Sequence, residues 1–301
     1  MGGMGNTGCR RPLNTKILAE DFARYILKRA EDYEVPASRI VKAEMDLKAL
    51  EGHPTSTHED YRASRYRSSD QRRLLRDRIL GELIDKERLE DDDRVSLGNG
   101  GAKPKELKSD RVAYIVSGAP ASGKSSIAAR LADENGAYIL DSDYAKRKFP
   151  EYTEYAGGAS LVHEESDAVV FASEDSLFEC CVYNNYNVVI PLVGRTDKSF
   201  KRICRRLMEC GYEIHIVNVA LDRYKCVERA YERFERTERY VPLSYIFDEV
   251  GNSPELVYFR IKRDYGDNNS ISSFSQISTD VAMGAAPKIL EATKNSPLGK
   301  W

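Results

Sequence analysis

Two rhythms of apolar residues divide this chain near residue 111. Before that point the spacing is helical. Leu18, Phe22, Tyr25 and Ile26 fall on one face, with lysine, arginine and glutamate opposite, which predicts an amphipathic helix from Asn14. Pro36 is expected to stop it, and 37–50 reads as a second helix capped by Gly52. Residues 59–90 predict a long helix or a helix pair, with Leu74, Leu75, Ile79, Leu83 and Ile84 as its apolar stripe. Asp91 to Lys105, which carries Gly98-Asn99-Gly100-Gly101 and Pro104, reads as a linker. After it, short apolar runs alternate with helical stretches. The runs 112–116, 138–140, 187–193 and 213–220 each read as a strand. This grammar predicts an α/β fold: a three-layer sandwich with a mostly parallel sheet, preceded by an N-terminal helical region. The segment after Gly266, rich in Ser, Asn and Gly, predicts one edge strand and a loose tail. The chain then divides into a flexible Gly-rich stretch (1–12), N-terminal helices (13–55), the core (56–265) and a partly irregular C-terminal segment (266–301).

Composition narrows the partners. Lys and Arg number 46 against 48 Asp and Glu, so no overall charge argues for nucleic acid. The arginines at 62, 65, 67, 72, 73, 76 and 78 read as a solvated face interleaved with acids, with phosphate binding as the alternative. The apolar runs are too short to cross a bilayer, and the N-terminus lacks the apolar stretch of a signal peptide. Asn6 stands where a myristoylation signal has Ser or Thr. Cys9, Cys180, Cys181, Cys204, Cys210 and Cys226 form no C-x-x-C pair and read as the reduced thiols of a cytosolic protein.

The strongest chemical signal is Gly118-Ala119-Pro120-Ala121-Ser122-Gly123-Lys124-Ser125, a complete G-x-x-x-x-G-K-[ST] with a strand before it and a helix after it. Such a loop wraps phosphates with its backbone N–H groups. Lys124 would reach the β- and γ-phosphates, Ser125 would ligate Mg²⁺, and the helix start adds its positive dipole end. Asp141-Ser142-Asp143 follows the second strand. A carboxylate there can take the proton of an attacking hydroxyl or meet the water shell of Mg²⁺, while its partner caps the next helix. Arg229, Arg233 and Arg236 recur at i, i+4 and i+7, with Arg239 beyond, so one helical face can present guanidinium groups to a transferred phosphoryl group. Glu228, Glu232 and Glu235 between them allow a salt-bridged surface helix instead. His163, at a helix start, is by itself more often structural.

Taken together, these residues make the chain resemble the zeta toxin family of P-loop kinases. The resemblance rests on Gly118 to Ser126, on Asp141-Ser142-Asp143 followed by Phe149-Pro150-Glu151-Tyr152, and on Val162-His163-Glu164-Glu165-Ser166. Asn187-Val188-Val189-Ile190 and the stretch from Arg229 to Pro242 complete it, in matching order over roughly 110–250. It implies a P-loop kinase fold and transfer of a phosphoryl group from ATP, or GTP, to a hydroxyl. The acceptor it implies is a nucleotide-linked small molecule, in the best-known case the sugar of UDP-N-acetylglucosamine. By position, Lys124, Ser125 and Ser126 belong to the donor site, with Asp141 able to reach Mg²⁺ through water. Asp143 is the base, Arg233 and Arg239 clamp the phosphates, and His163 and Glu164 line the acceptor pocket.

The resemblance breaks after the third strand. There the family usually has an acidic residue, Gly and Thr that contact the acceptor, whereas this chain has Pro191-Leu192-Val193 before Gly194-Arg195. Apolar groups remove hydrogen-bond partners on which such sites rely. Glu174 or Asp175 is expected to supply an acid instead, with Arg195 beside the acceptor. A second break is Glu238, where the family tends to have Gly. Related plant-pathogen effectors make an NAD-type dinucleotide the alternative acceptor, and a nucleotide-binding protein without an acceptor site is a third reading. The resemblance also implies an antitoxin or chaperone partner. Residues 13–55 would either restrain the enzyme in cis or complete its outer layer.

Overall fold

A computed structural model describes residues 12–155, 157–266, 270–282 and 284–300. The expectations for residues 1–11, Cys9 among them, lie outside the described residues. Six strands form one sheet: β1 (Val112–Gly118), β2 (Tyr138–Ile139), β3 (Val188–Leu192), β4 (Glu213–Ala220), β5 (Ser273–Ser278) and β6 (Lys288–Ala292). Their order is β2-β3-β1-β4-β5-β6. All neighbours run parallel except β5 and β6. β1 lies at the centre, with Tyr114 registered against Val189 on one side and His215 on the other. Its residues Ala113 to Ser117 are buried, the continuous run expected of a strand covered on both faces. The helix Lys124–Asn135 packs on β1, β2 and β3, while Asp197–Glu209 and Ser253–Tyr265 cover β4. The three-layer α/β sandwich is therefore present.

The C-terminal segment departs from expectation. It supplies two strands, and β5 is interior rather than an edge. Its sequence, Ser273-Phe274-Ser275-Gln276-Ile277-Ser278, hides this because three of its five buried positions are polar. They find partners on β4, at His215 and Asn218, and beyond the sheet, at Glu255 and Ser296. Gln276 Nε2 donates to Asn218 Oδ1 at 3.2 Å, and Asn218 Nδ2 donates to Ser117 Oγ at 3.1 Å, a polar ladder across β5, β4 and β1.

The N-terminal helices also differ in detail. The first, Lys16–Tyr25, is capped by Thr15 and buries Ala19, Phe22 and Ala23, while Leu18 and Tyr25 point outward. It ends eleven residues before Pro36, which instead sits in the first turn of the second helix, Glu34–Leu50. The N–H that proline lacks has no helical partner there in any case. Phe22 and Ile40 join Ala230, Tyr231, Phe234, Leu243 and Ile246 in one apolar cluster, so both helices back the helix Arg223–Thr237. The Tyr240 hydroxyl donates to Glu44 at 2.7 Å across this junction.

Residues 59–90 contain one helix, Ser69–Asp85, opened by a Ser68/Gln71 capping box and preceded by two single turns. Leu75, Ile79 and Leu83 are buried, whereas Leu74 is not. The arginine run is only partly a solvated face. Arg72 is fully buried, donating to Glu151 at 2.7 Å, to Glu165 at 2.6 Å and to Thr55 at 3.0 Å. The stretch 91–105 is no loose linker either. The Lys148 ammonium is buried beneath it and donates to the carbonyls of Ser96 (3.0 Å), Asn99 (3.2 Å) and Gly100 (2.6 Å) and to the Glu82 carboxylate (2.8 Å). At Gly101 a Cβ would lie 2.1 Å from the Lys86 carbonyl, so the loop turns against its neighbour where only glycine fits.

Candidate active site

The site begins where β1 ends. A Cβ on Gly118 would meet Ser122 Oγ and the Val219 carbonyl, both at 2.7 Å, so the chain can turn here only without a side chain. Pro120 and Ala121 carry the turn, Ala121 with φ 61° and Gly123 with φ 89°. A non-glycine residue in the left-handed region is strained by about 1 kcal/mol or more, a cost that clusters at ligand-binding loops. Ser122 donates its N–H to Ala119 at 3.1 Å, closing the loop. Its hydroxyl is buried with no hydrogen-bond partner.

Lys124 opens the following helix and folds back, donating to the Ala119 carbonyl at 2.7 Å. Burial lowers its ammonium pKa to about 8, partly offset by Asp141. Anionic phosphates would reverse that shift, so nucleotide binding above pH 8 should take up a proton. Calorimetric titration of ATP at about pH 8.5, in two buffers of different ionisation heat, is expected to show this uptake. It should vanish in Lys124→Met, and affinity should fall as pH rises through this range. Ser125 and Ser126 are exposed on the first helical turn.

β5 secures the loop from the other side, a role the sequence did not signal. Thr279 Oγ1 donates to the Ser122 carbonyl at 2.7 Å, and Arg229 donates to the Thr279 carbonyl at 2.7 Å. Arg229 therefore supports the loop and is not part of a phosphate-facing row.

At the carboxyl end of β2, the two aspartates take different positions. Asp141 accepts the Asp143 N–H at 2.9 Å and caps the helix Ser142–Lys146. Burial, and then the charge of Asp143, raise its carboxyl to about 6. Asp143 is half-exposed and accepts Lys146 Nζ at 2.7 Å. Burial alone would raise its carboxyl, but Lys146, Arg147 and Arg239 hold it well below the usual carboxylate range. Lys146 was legible in principle, lying three residues after Asp143 on one helical turn.

Arg233, Arg236 and Arg239 line a cleft of about 780 Å³ together with Ser125, Ser126, Arg147 and the stretch 88–93. Arg233 keeps a buried Nε without a partner, and burial and then Arg239 depress its guanidinium. Arg239 pairs with Asp93. Positive charge thus converges on the mouth of the phosphate loop from the helix Arg223–Thr237, as the spacing at Arg233 and Arg236 predicted.

The expected acceptor residues scatter. His163 and Glu164 do sit together on the helix His163–Asp167, which is tied to the Asp143 helix by Ser142 Oγ donating to Asp167 at 3.4 Å. They line a second cavity of about 430 Å³ whose other wall is Glu44, Leu47, Lys48, His53 and Pro54. Burial, and then Lys146, lower the His163 pKa. Asp175 does not join them. It faces a separate cleft with Glu179, Asn184, Asn185 and Arg206, because the two-turn helix Leu177–Tyr183 holds it on the flank leading into β3. Arg195 pairs with Glu249 at 3.2 Å and lines neither cavity. Val193 packs against the apolar cluster of the N-terminal helices, so the end of β3 presents no polar group there.

Among the described residues no cluster of three or more His, Cys, Asp or Glu could hold a metal. The Ser125 hydroxyl and, through water, the Asp141 carboxylate are the oxygen groups here that could hold Mg²⁺, an ion that takes its other ligands from phosphates and water. No helix of the described residues is long and apolar enough to cross a membrane.

A search of curated proteins gives no match. Among solved structures, a chain of the PezAT chromosomal toxin–antitoxin system of Streptococcus pneumoniae is 15% identical with a TM-score of 0.46, over 75% of this chain and 81% of that one. A chain of the AvrRxo1-ORF1:ORF2 complex is 14% identical with a TM-score of 0.47, over 75% and 68%. A gluconokinase from Sinorhizobium meliloti 1021 is 15% identical with a TM-score of 0.32, over 58% and 86%. The zeta toxin family model matches residues 100–262, more than half of the 301 residues. With that match spanning the phosphate loop, both aspartates and the arginine helix, the chain belongs to the zeta toxin family and is an ATP-binding kinase.

Proposed function

We propose that this kinase is a toxin that phosphorylates a hydroxyl of a nucleotide-linked small molecule, with Asp143 as the base. The observation that carries the reading is the position of Asp143. Its half-exposed carboxylate stands at the strand end beside Lys124, within the field of Lys146, Arg147 and Arg239. In this reading Lys124 and the loop amides hold the donor phosphates, and Arg233 and Arg239 gather the charge of the transferred group. Mg²⁺, held by Ser125 and reached by Asp141 through water, would neutralise the β- and γ-oxygens. The acceptor hydroxyl donates to Asp143, its oxygen forms the bond to the γ-phosphorus, and the bond to the ADP oxygen breaks. Fixed by Lys146, the carboxylate also aims the hydroxyl.

In this reading His163 and Glu164 bind the acceptor, in the cavity they share with Glu44, Lys48 and His53. The UDP-N-acetylglucosamine sugar is one such acceptor. A second reading, an NAD-type dinucleotide acceptor, is favoured by Val193, which turns the sugar-contacting position of the family into an apolar contact. Incubating the purified chain with ATP and a metabolite extract, followed by mass spectrometry, separates the two. A phosphorylated sugar nucleotide supports the first and a phosphorylated dinucleotide the second. ATP binding without any transferred phosphate would refute both. An antitoxin partner and action in a bacterial or host cytoplasm complete the proposal.

A further inference from the structure

The rim of the donor cleft already holds an anion of the protein's own. Asp91 Oδ1 accepts the Asp93 N–H at 3.0 Å, and Asp92 accepts the Tyr144 hydroxyl at 2.9 Å, which fixes the turn and its direction. Lys148 anchors the same loop farther along, through the carbonyls of Ser96, Asn99 and Gly100. Thus held, Asp93 Oδ1 accepts from Arg239 and also from Arg147, the latter at 3.4 Å. Arg233, on the same cleft, has no such partner at its Nε. The two arginines assigned to the donor phosphates are therefore unequal: one keeps an unpartnered Nε and the other is paired with a carboxylate. The stretch that carries Asp93 precedes the family match, which begins at residue 100.

We infer that Asp93 is a determinant of donor affinity, a carboxylate paired with Arg239 that competes with the donor phosphates for its guanidinium. The inference rests on the reading that Arg239 contacts those phosphates. Two effects act in the same direction. A carboxylate and a phosphate oxygen compete for the same guanidinium N–H groups. The Asp93 charge also repels a polyphosphate entering the cleft it lines. Because Asp93 is 48% exposed, solvent screens both effects, and the barrier to the donor is modest rather than prohibitive.

The test is the ATP dissociation constant of the full chain as wild type, Asp93→Asn, Arg239→Ala and the double variant. Asp93→Asn is expected to bind ATP about three- to fivefold more tightly, the scale of a partly exposed ion pair. Arg239→Ala is expected to weaken ATP, and in that background the gain from Asp93→Asn should shrink, because the contested guanidinium is gone. If Arg239→Ala weakens ATP while Asp93→Asn leaves it unchanged or weaker, the inference falls and the reading of Arg239 stands. If Arg239→Ala leaves ATP affinity unchanged, the reading falls and takes the inference with it.

Discussion

Asp143→Asn is expected to lower phosphoryl transfer about 10²–10⁴-fold while leaving ATP bound at least as tightly as in the wild type. The amide preserves shape and loses the proton acceptor. It also removes a negative charge from a site where Lys146, Arg147 and Arg239 already supply excess positive charge. Lys124→Ala is expected to fail differently, losing ATP affinity and transfer together, because its ammonium belongs to the phosphate cradle. ATP titrations and transfer assays on both variants distinguish the two modes. Both should relieve growth inhibition on expression, and persistent inhibition by either variant would exclude kinase activity as its cause.

The second large effect is on folding. Arg72→Met should destabilise the chain by about 3–5 kcal/mol, since it strands the buried Glu151 and Glu165 carboxylates without their partner. Arg76, which reaches Glu165 at 2.9 Å, compensates only in part. Burial alone would raise the Glu165 carboxyl, but Arg72 holds it below its ordinary value. A depressed carboxylate contributes stability above its unfolded pKa and loses it as pH falls through its folded pKa. In Arg72→Met the depression is gone, so the deficit relative to wild type should narrow on acidification below the ordinary glutamate range. Urea denaturation at neutral and acidic pH measures both. A deficit that stays constant with pH would show that lost packing against the Phe149 ring, 4.7 Å away, dominates instead.

How far the sequence disclosed this depends on the kind of residue. The phosphate loop was legible because each position answers to a local need: a glycine where a Cβ would collide, a lysine at a helix start, a strand before it. β1 and β4 were legible as apolar runs. β5 was not, because Ser275 and Gln276 are buried among polar partners that belong to β4 and to distant loops. Arg72 and Lys148 were illegible as core residues for the same reason. Their counter-charges, Glu165 and Glu82, lie 93 and 66 residues away. The resemblance carried His163 and Glu164 to a common cavity, while Asp175 and Arg195 were drawn from nearness in sequence alone and found other partners. Asp93 carried no motif, since three aspartates in a Gly-rich stretch read first as a solvated linker.

The bond from Thr279 to the phosphate loop has a genetic consequence. The loop is held in part by a strand that enters the sheet after the last residue matched by the family, with Arg229 bracing the junction. In a selection for cells that survive expression of this chain, premature stops downstream of codon 266 should therefore appear among the survivors as null alleles. The map of inactivating lesions would then extend well past the segment that carries every catalytic motif, and its far edge would mark the last part of the chain that must be synthesised before the toxin is armed.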